Sequence, residues 1–276
     1  MTKRLFVLGT QIGYSISPAM QNAAIRLLGL DWEYSLWDLA AEELPAAIAQ
    51  LRQAECIGAN VTIPHKEAVV PLLDGLGDSA RELHAANTLV KRDGKLIGEN
   101  TDGVGFTLAL KDLQFDPKNT HVLILGAGGA TRGVSFALAR LGVARITLVN
   151  RTPARAETLA VELHQHFPQL QATANPAHLP ADVALIVNAL PPSAPVEAGT
   201  LPLARDVLAF DLSYYPIETP FLREARRTCA RVTNGMGMLV YQGAESLRIW
   251  SGLEPDVPAM FRAAQEFLSE YTRRHA

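Results

Sequence analysis

The sequence predicts an α/β protein of two α/β domains, each built on a mostly parallel sheet. Three observations carry that reading. Short β-rich runs alternate with helical patterns along nearly the whole chain, which is the mark of βαβ units. The alternation begins twice, at Leu5 and again at His121, without an internal repeat. The chain is also long and apolar enough, at 276 residues with 48% hydrophobic and 19% charged, to bury two modest cores without disulfides or structural metal.

Residues 5–8 (Leu-Phe-Val-Leu) form a continuous apolar strand. Ser17-Pro18 then offers an N-cap and a first-turn proline to a helix that runs to Leu28 and stops at Gly29. Residues 32–39 alternate as a strand, and residues 41–54 are helical with Pro45 tolerated near the first turn. Residues 56–62 make a third strand, and Pro64 opens another helix. Residues 88–91 and 95–97 flank Arg92-Asp93-Gly94, whose Asp-Gly turn signals a hairpin. A helix over 106–113 connects to the second series, placing the boundary within residues 103–118. That series runs as strand 121–125, helix 130–141, strand 145–149, helix 153–167, buried strands 182–188 and 207–212, and a closing amphipathic helix 257–274. The first domain takes residues 1–104, completed by C-terminal helices at about 238–276, and the second takes 105–237.

Composition narrows the function. Lys plus Arg number 25 and Asp plus Glu 28, a net charge of −3. This balance offers no electrostatic footprint for nucleic acid or anionic lipid. No apolar run approaches the roughly 20 residues that span a bilayer. The basic start at Met1-Thr2-Lys3-Arg4 leads into an apolar run that ends at Gly9, too short for a signal peptide. Cys56 and Cys229 form no CxxC pair and the seven histidines show no ligand spacing, so the expectation is no metal and two reduced thiols in a cytoplasmic protein.

A glycine-rich turn, Gly126-Ala127-Gly128-Gly129-Ala130-Thr131, follows one predicted strand and opens a helix. The first glycine permits the tight turn, and the second lets backbone N–H groups approach a pyrophosphate at the helix N-terminus. Thr131 stands where Gly or Ala is usual, which crowds helix against sheet. The context predicts a Rossmann-like dinucleotide site. The next strand ends in Asn150-Arg151-Thr152-Pro153-Ala154-Arg155 rather than in the carboxylate an NAD ribose requires. Two guanidiniums there suit a 2′-phosphate, and their positive charge at a helix N-terminus is unfavourable unless something anionic binds. The cofactor expected is NADP.

The first half carries Asn60-Val61-Thr62-Ile63-Pro64-His65-Lys66 at the end of a buried strand, and Asn100-Thr101-Asp102-Gly103 where it hands over to the linker. Hydride addition to a carbonyl leaves an alkoxide that needs a proton from a positioned acid. Lys66 as ammonium could supply it, with Asp102 orienting the ammonium. Taken singly, each reads more readily as a solvated surface charge.

The ordered set of motifs changes that balance, because over nearly its full length the chain resembles shikimate dehydrogenase. Residues 9–18, with Ser15 and Ser17, resemble that family's opening segment, in which two serines bind the substrate carboxylate. The segment from Asn60 through Thr62 to Lys66 resembles its catalytic-lysine motif. Ala86-Asn87-Thr88-Leu89 resembles its substrate-asparagine segment, and residues 100–103 its aspartate motif. Residues 126–130 and 150–155 look like its NADP loops. Asp211-Leu212-Ser213-Tyr214 corresponds to a stretch touching cofactor and substrate, and residues 235–242 to the segment that runs from Gly235 beside nicotinamide to a substrate-binding Gln242.

The resemblance implies an N-terminal substrate domain, a C-terminal Rossmann-like NADP-binding domain and a site in the cleft between them. It implies NADPH-dependent, reversible reduction of 3-dehydroshikimate to shikimate, on the route to chorismate and the aromatic amino acids. Lys66 and Asp102 are then catalytic. Ser15, Ser17, Thr62, Asn87, Tyr214 and Gln242 join them in binding substrate. Gly126, Ala127, Gly128, Gly129, Ala130, Asn150, Arg151, Thr152, Arg155, Leu212 and Gly235 hold the cofactor. The expected partners are small molecules only, and the expected state is a monomer or homodimer. Gln11, Tyr14, Gln21 and Leu190-Pro191-Pro192 depart from the family's usual pattern without removing a catalytic group. They keep two alternatives open, a dehydrogenase acting on quinate or a related acid and a non-catalytic NADP-binding sensor.

Overall fold

The computed structural model describes residues 2–196 and 199–275, and the chain divides into two units, Met1–Gly105 with Leu239–Ala276, and Phe106–Met238. The first unit holds β1 (Lys3–Gly9), α1 (Ser17–Leu27), β2 (Trp32–Asp38), α2 (Leu44–Gln50), β3 (Cys56–Val61), α3 (His65–Ala68), β4 (Gly75–Leu76), α4 (Asp78–Leu83), β5 (Thr88–Arg92) and β6 (Lys95–Glu99). After α5 (Asp102–Asp112), the second unit runs β7 (His121–Leu125), α6 (Gly129–Arg140), β8 (Arg145–Val149), α7 (Pro153–His166), β9 (Gln171–Ala174), β10 (Leu185–Asn188), β11 (Leu208–Asp211), α8 (Pro220–Ala225) and β12 (Arg231–Thr233). The chain then returns to the first unit through α9 (Met236–Ser251) and ends in α10 (Val257–His275).

The first sheet has the order β2-β1-β3-β5-β6-β4. Its β1 runs parallel to β2 and β3, whereas β5 is antiparallel to both β3 and β6. The reversal follows from the predicted hairpin. Asp93 and Gly94 take φ of 50° and 76°, the doubly positive turn whose twist matches the strands it joins. Phe6 and Leu8 face one way, into a core with Ile48, Leu51, Val61 and Leu89. On the first unit's helical side, α1 packs along α10.

Two expectations are corrected. Ile16, rather than Ser17, occupies the cap position of α1, and its side chain makes no cap bond. Ser17 is already helical because Pro18 behind it needs no N–H partner, and Ser15 Oγ accepts from the Ser17 backbone N–H at 3.3 Å. The single helix expected over 41–54 is a 3-10 turn, Ala41–Glu43, followed by the short α2. Pro45 removes a backbone donor at that junction. Gly29 does close α1, at φ 66°.

The second sheet is wholly parallel, in the order β12-β11-β10-β7-β8-β9. Its central strands β7, β10 and β11 are buried at every residue, as a sheet covered on both faces requires. Strand order reverses between β7 and β10, so their carboxyl ends open the crevice where such sheets bind ligands. Both cysteines are free and buried, and burial pushes both thiols above their ordinary pKa, which makes them poor nucleophiles. Among the described residues no helix is long and apolar enough to cross a membrane.

On α9, Gln242, Ser246 and Trp250 recur at four-residue spacing and so share one helix face. Trp250 Nε1 donates to Leu89 O at 2.8 Å, and the space is left by Gly58. A Cβ at Gly58 would lie 2.1 Å from that carbonyl oxygen and 2.6 Å from the indole nitrogen. Gly58→Ala is therefore expected to cost about 2–4 kcal/mol, through overpacking and loss of a buried hydrogen bond. Urea unfolding checks this, and an unchanged midpoint would refute it.

Candidate active site

The first unit gathers its polar residues where β3, β5, β6 and α9 meet. Lys66 on α3 and Asp102 at the first position of α5 form an ion pair, Nζ to Oδ2, at 2.7 Å, with side-chain exposures of 19% and 7%. A carboxylate suits that helix N-terminus. Asn87 Nδ2 donates to the other carboxylate oxygen, Oδ1, at 2.8 Å, and the Asp102 N–H is itself taken by Asn100 Oδ1 at 3.1 Å. The Asp102 carboxylate is thus held at both oxygens. Lys66 has Asp102 as its one side-chain partner among the described residues, so ammonium hydrogens remain for a ligand.

Gln242 joins the same group: its Oε1 accepts from Asn87 Nδ2 at 3.3 Å and its Nε2 donates to Leu239 O at 2.8 Å. Thr62 follows the last residue of β3, and its N–H donates to Leu8 O at 2.8 Å. Ser15 and Ser17 lie buried at the start of α1. The helix they open is tied to α9 one turn later, by Gln21 Nε2 donating to Gly243 O at 2.8 Å. The hydroxyls of Ser17 and Thr62 have no protein partner among the described residues.

The remaining predicted residues belong to the second unit. Gly126 has φ 110°, and a Cβ there would meet Ala189 O at 3.1 Å, so the turn after β7 needs glycine. Gly128 caps α6 with open space in front of it, and Ala127, Gly129 and Ala130 line the turn. Thr131 is fully buried, with its hydroxyl unpartnered among the described residues. Asn150 Nδ2 donates to Thr152 O at 2.9 Å, which shapes the turn into α7. Arg151 and Arg155 are exposed, and neither guanidinium has a hydrogen bond or ion pair among the described residues. An open glycine turn and two unneutralised guanidiniums fit a phosphorylated dinucleotide. Gly235 packs its backbone on Leu212, where a Cβ would lie 2.0 Å from Leu212 O. Tyr214 is half-buried past the end of β11. Among the described residues no cluster could hold a metal ion.

Sequence reasoning gave no role to five members of the polar group, although Asn60, Thr88 and Thr101 stand in its motifs. Tyr34 donates to Asn60 Oδ1 at 2.8 Å. Asn60, Thr88, Thr101 and Ser246 link it onward to Asn87. The available signal was an asparagine inside a buried strand, where asparagine is disfavoured, and a serine four residues after Gln242 on one helix.

Residues 7–89 match the shikimate dehydrogenase substrate binding domain. Residues 107–192 match the shikimate / quinate 5-dehydrogenase family, and 235–265 the shikimate 5'-dehydrogenase C-terminal domain. A curated shikimate dehydrogenase (NADP+) of Geobacter metallireducens is 41% identical over 277 residues, 95% of each chain. The chain belongs to the shikimate dehydrogenase family. Two solved members share its architecture. A shikimate dehydrogenase in complex with NADP+ superposes with a TM-score of 0.89 at 36% identity, covering 97% of this chain and 96% of that one. The Thermus thermophilus shikimate 5-dehydrogenase in complex with NADP(H) and shikimate gives 0.85 at 39%, covering 96% and 100%. The α/β architecture with a Rossmann-like unit is therefore that of the family.

Burial raises the Tyr34 pKa well above its ordinary value of 10.0. A raised phenol pKa contributes stability that is complete below about pH 10, where the unfolded chain begins to ionise, and is lost as pH rises toward the folded value. Tyr34→Phe should destabilise the protein by about 1–2 kcal/mol at neutral pH, by stranding Asn60 Oδ1. The gap between the two proteins should shrink above about pH 10. Denaturant titrations across that range check it, and a constant gap would contradict it.

Proposed function

We propose that this chain is an NADP-dependent oxidoreductase that interconverts 3-dehydroshikimate and shikimate, on the route to chorismate and the aromatic amino acids. The observation that carries this reading is the Lys66–Asp102 pair at 2.7 Å, in a chain of this family. The bound cofactor supplies or takes the hydride. Lys66 gives a proton to the substrate oxygen as it becomes an alkoxide, and as neutral amine takes the hydroxyl proton in the reverse direction. Asp102 orients Lys66 through Oδ2 while Asn87 holds Oδ1.

The hydroxyls of Ser15 and Ser17, at the N-terminus of α1, take the substrate carboxylate. Thr62, Asn87 and Gln242 serve the ring oxygens, mixing donors and acceptors as hydroxyl recognition demands, and Tyr214 is a further substrate contact. The turn at Gly126, Ala127, Gly128, Gly129 and Ala130 receives the pyrophosphate. Asn150, Arg151, Thr152 and Arg155 receive the 2′-phosphate, and Leu212 and Gly235 the nicotinamide. Residues 1–104 with the last helices are the substrate unit, and 105–237 the cofactor unit. Two free, buried thiols support a reducing compartment, the cytoplasm.

The test is initial rates with shikimate and with quinate, each with NADP+ and NAD+. Fast turnover confined to shikimate with NADP+ is expected, and turnover confined to quinate would reject the substrate assignment. Lys66→Ala should lower kcat by about 10²-fold or more while sparing NADP+ binding; unchanged kcat would remove the lysine from the mechanism. Arg151→Ala should raise the KM for NADP+ about tenfold, through one lost charge-assisted contact, and spare NAD+. Equal losses for both cofactors would contradict the 2′-phosphate assignment.

A further inference from the structure

Behind the Lys66–Asp102 pair runs a line of buried hydrogen bonds ending on Tyr34, and its outer members have no part in the reaction above. Two backbone groups set its direction. Asn87 O can only accept, so the Asn60 atom 3.0 Å from it is Nδ2, and Asn60 Oδ1 must face the Tyr34 hydroxyl at 2.8 Å. The Thr101 N–H can only donate, so the Asn87 atom 2.8 Å from it is Oδ1. Asn87 Nδ2 is thereby turned to Asp102 Oδ1.

Thr88 joins the two amides. It stands directly opposite Asn60 in the antiparallel β3–β5 register. Its Oγ1 accepts from Asn60 Nδ2 at 3.2 Å and donates to Asn87 Oδ1 at 2.9 Å, with Ser246 Oγ at 2.8 Å. Tyr34 is 1% exposed, Asn60 6%, and Thr88 and Ser246 0%, so bulk water does not compete along the line.

We infer that Thr88 is a positioning residue for proton transfer at Lys66, a reading that rests on the acid–base assignment of Lys66. Asn87 Nδ2 has two hydrogens for three acceptors, Asp102 Oδ1 at 2.8 Å, Thr101 Oγ1 at 3.0 Å and Gln242 Oε1 at 3.3 Å. The bond from Thr88 to Asn87 Oδ1 joins that from the Thr101 N–H in holding the amide plane on the Asp102 side, and it polarises the amide as a donor. Asp102 is thereby kept with Oδ2 toward Lys66. Without the Thr88 bond the Thr101 N–H holds that plane alone, the Asn87 donor to Asp102 weakens, and the ion pair loosens.

Two substitutions separate this role from a structural one. Thr88→Val keeps the shape and suits a strand but deletes the hydroxyl, whereas Thr88→Ser keeps the hydroxyl and opens a cavity. Two quantities are read. One is kcat with shikimate and NADP+, and the other is acylation of Lys66 by acetic anhydride, followed by mass spectrometry against exposed Lys118. Thr88→Val should lower kcat about tenfold, the net worth of one hydrogen bond, with the KM for NADP+ unchanged. It should also acylate Lys66 about threefold faster or more, because a looser carboxylate protects the amine less. Thr88→Ser should stay near wild type in both readouts despite a lower melting temperature. Wild-type acylation in the valine variant would overturn the inference, as would a kcat that follows melting temperature rather than the hydroxyl. Faster acylation with unchanged kcat would uphold the positioning role and sink the acid–base assignment of Lys66 instead.

Discussion

The side chain and backbone of Asn87 tie the first unit together. Its N–H donates to Glu99 O at 3.0 Å and its carbonyl accepts from the Val61 N–H at 2.9 Å, joining three strands at one residue. Its amide oxygen accepts from the Thr101 N–H, and its amide nitrogen reaches Asp102. A buried primary amide left half-satisfied costs more than the bonds it makes are worth. Every neighbour is therefore constrained to supply the matching partner, and α9 must present Gln242 and Ser246 to the same place. The 2% exposure of Asn87 is what makes this geometry unforgiving.

The second unit has an analogous fixed point. Asp211, at the carboxyl end of β11, is fully buried without an ion-pair partner among the described residues. It accepts instead from Asn188 Nδ2 at 3.0 Å, Thr219 Oγ1 at 2.6 Å and the Ser213 N–H at 2.9 Å. These bonds pin the ends of β10 and β11 and the loop from Leu212, on which Gly235 rests without room for a side chain. The carboxyl edge of a parallel sheet is where its loops must be rigid to receive a ligand, and a buried carboxylate satisfied by three donors provides that rigidity.

Much of this was legible in the sequence because it depends on local chemistry. The glycine turn between β7 and α6, the Asp93-Gly94 hairpin and the stop at Gly29 each need a conformation that few residues adopt. The pairing of Lys66 with Asp102 was legible only as part of an ordered set of motifs, since 36 residues separate the two. Ser17 was misread as a cap because the residue types that cap helices are also tolerated in the first turn. The network from Tyr34 to Ser246 left only two local signs, Asn60 in a buried strand and Ser246 four residues after Gln242, because hydroxyls and amides carry no periodic signal and its ends are 212 residues apart in the chain.

By itself, the sequence determined the alternation of strands and helices, the turns that glycine imposes, the charge balance, and the clustering of two arginines at the start of α7. All of these follow from propensity and spacing along the chain. Only the tertiary structure decided which polar side chains share a buried volume and which oxygen of Asp102 faces Lys66. Those outcomes depend on mutual satisfaction of hydrogen bonds among strands brought together by the hydrophobic core. That constraint exists only once the elements are packed.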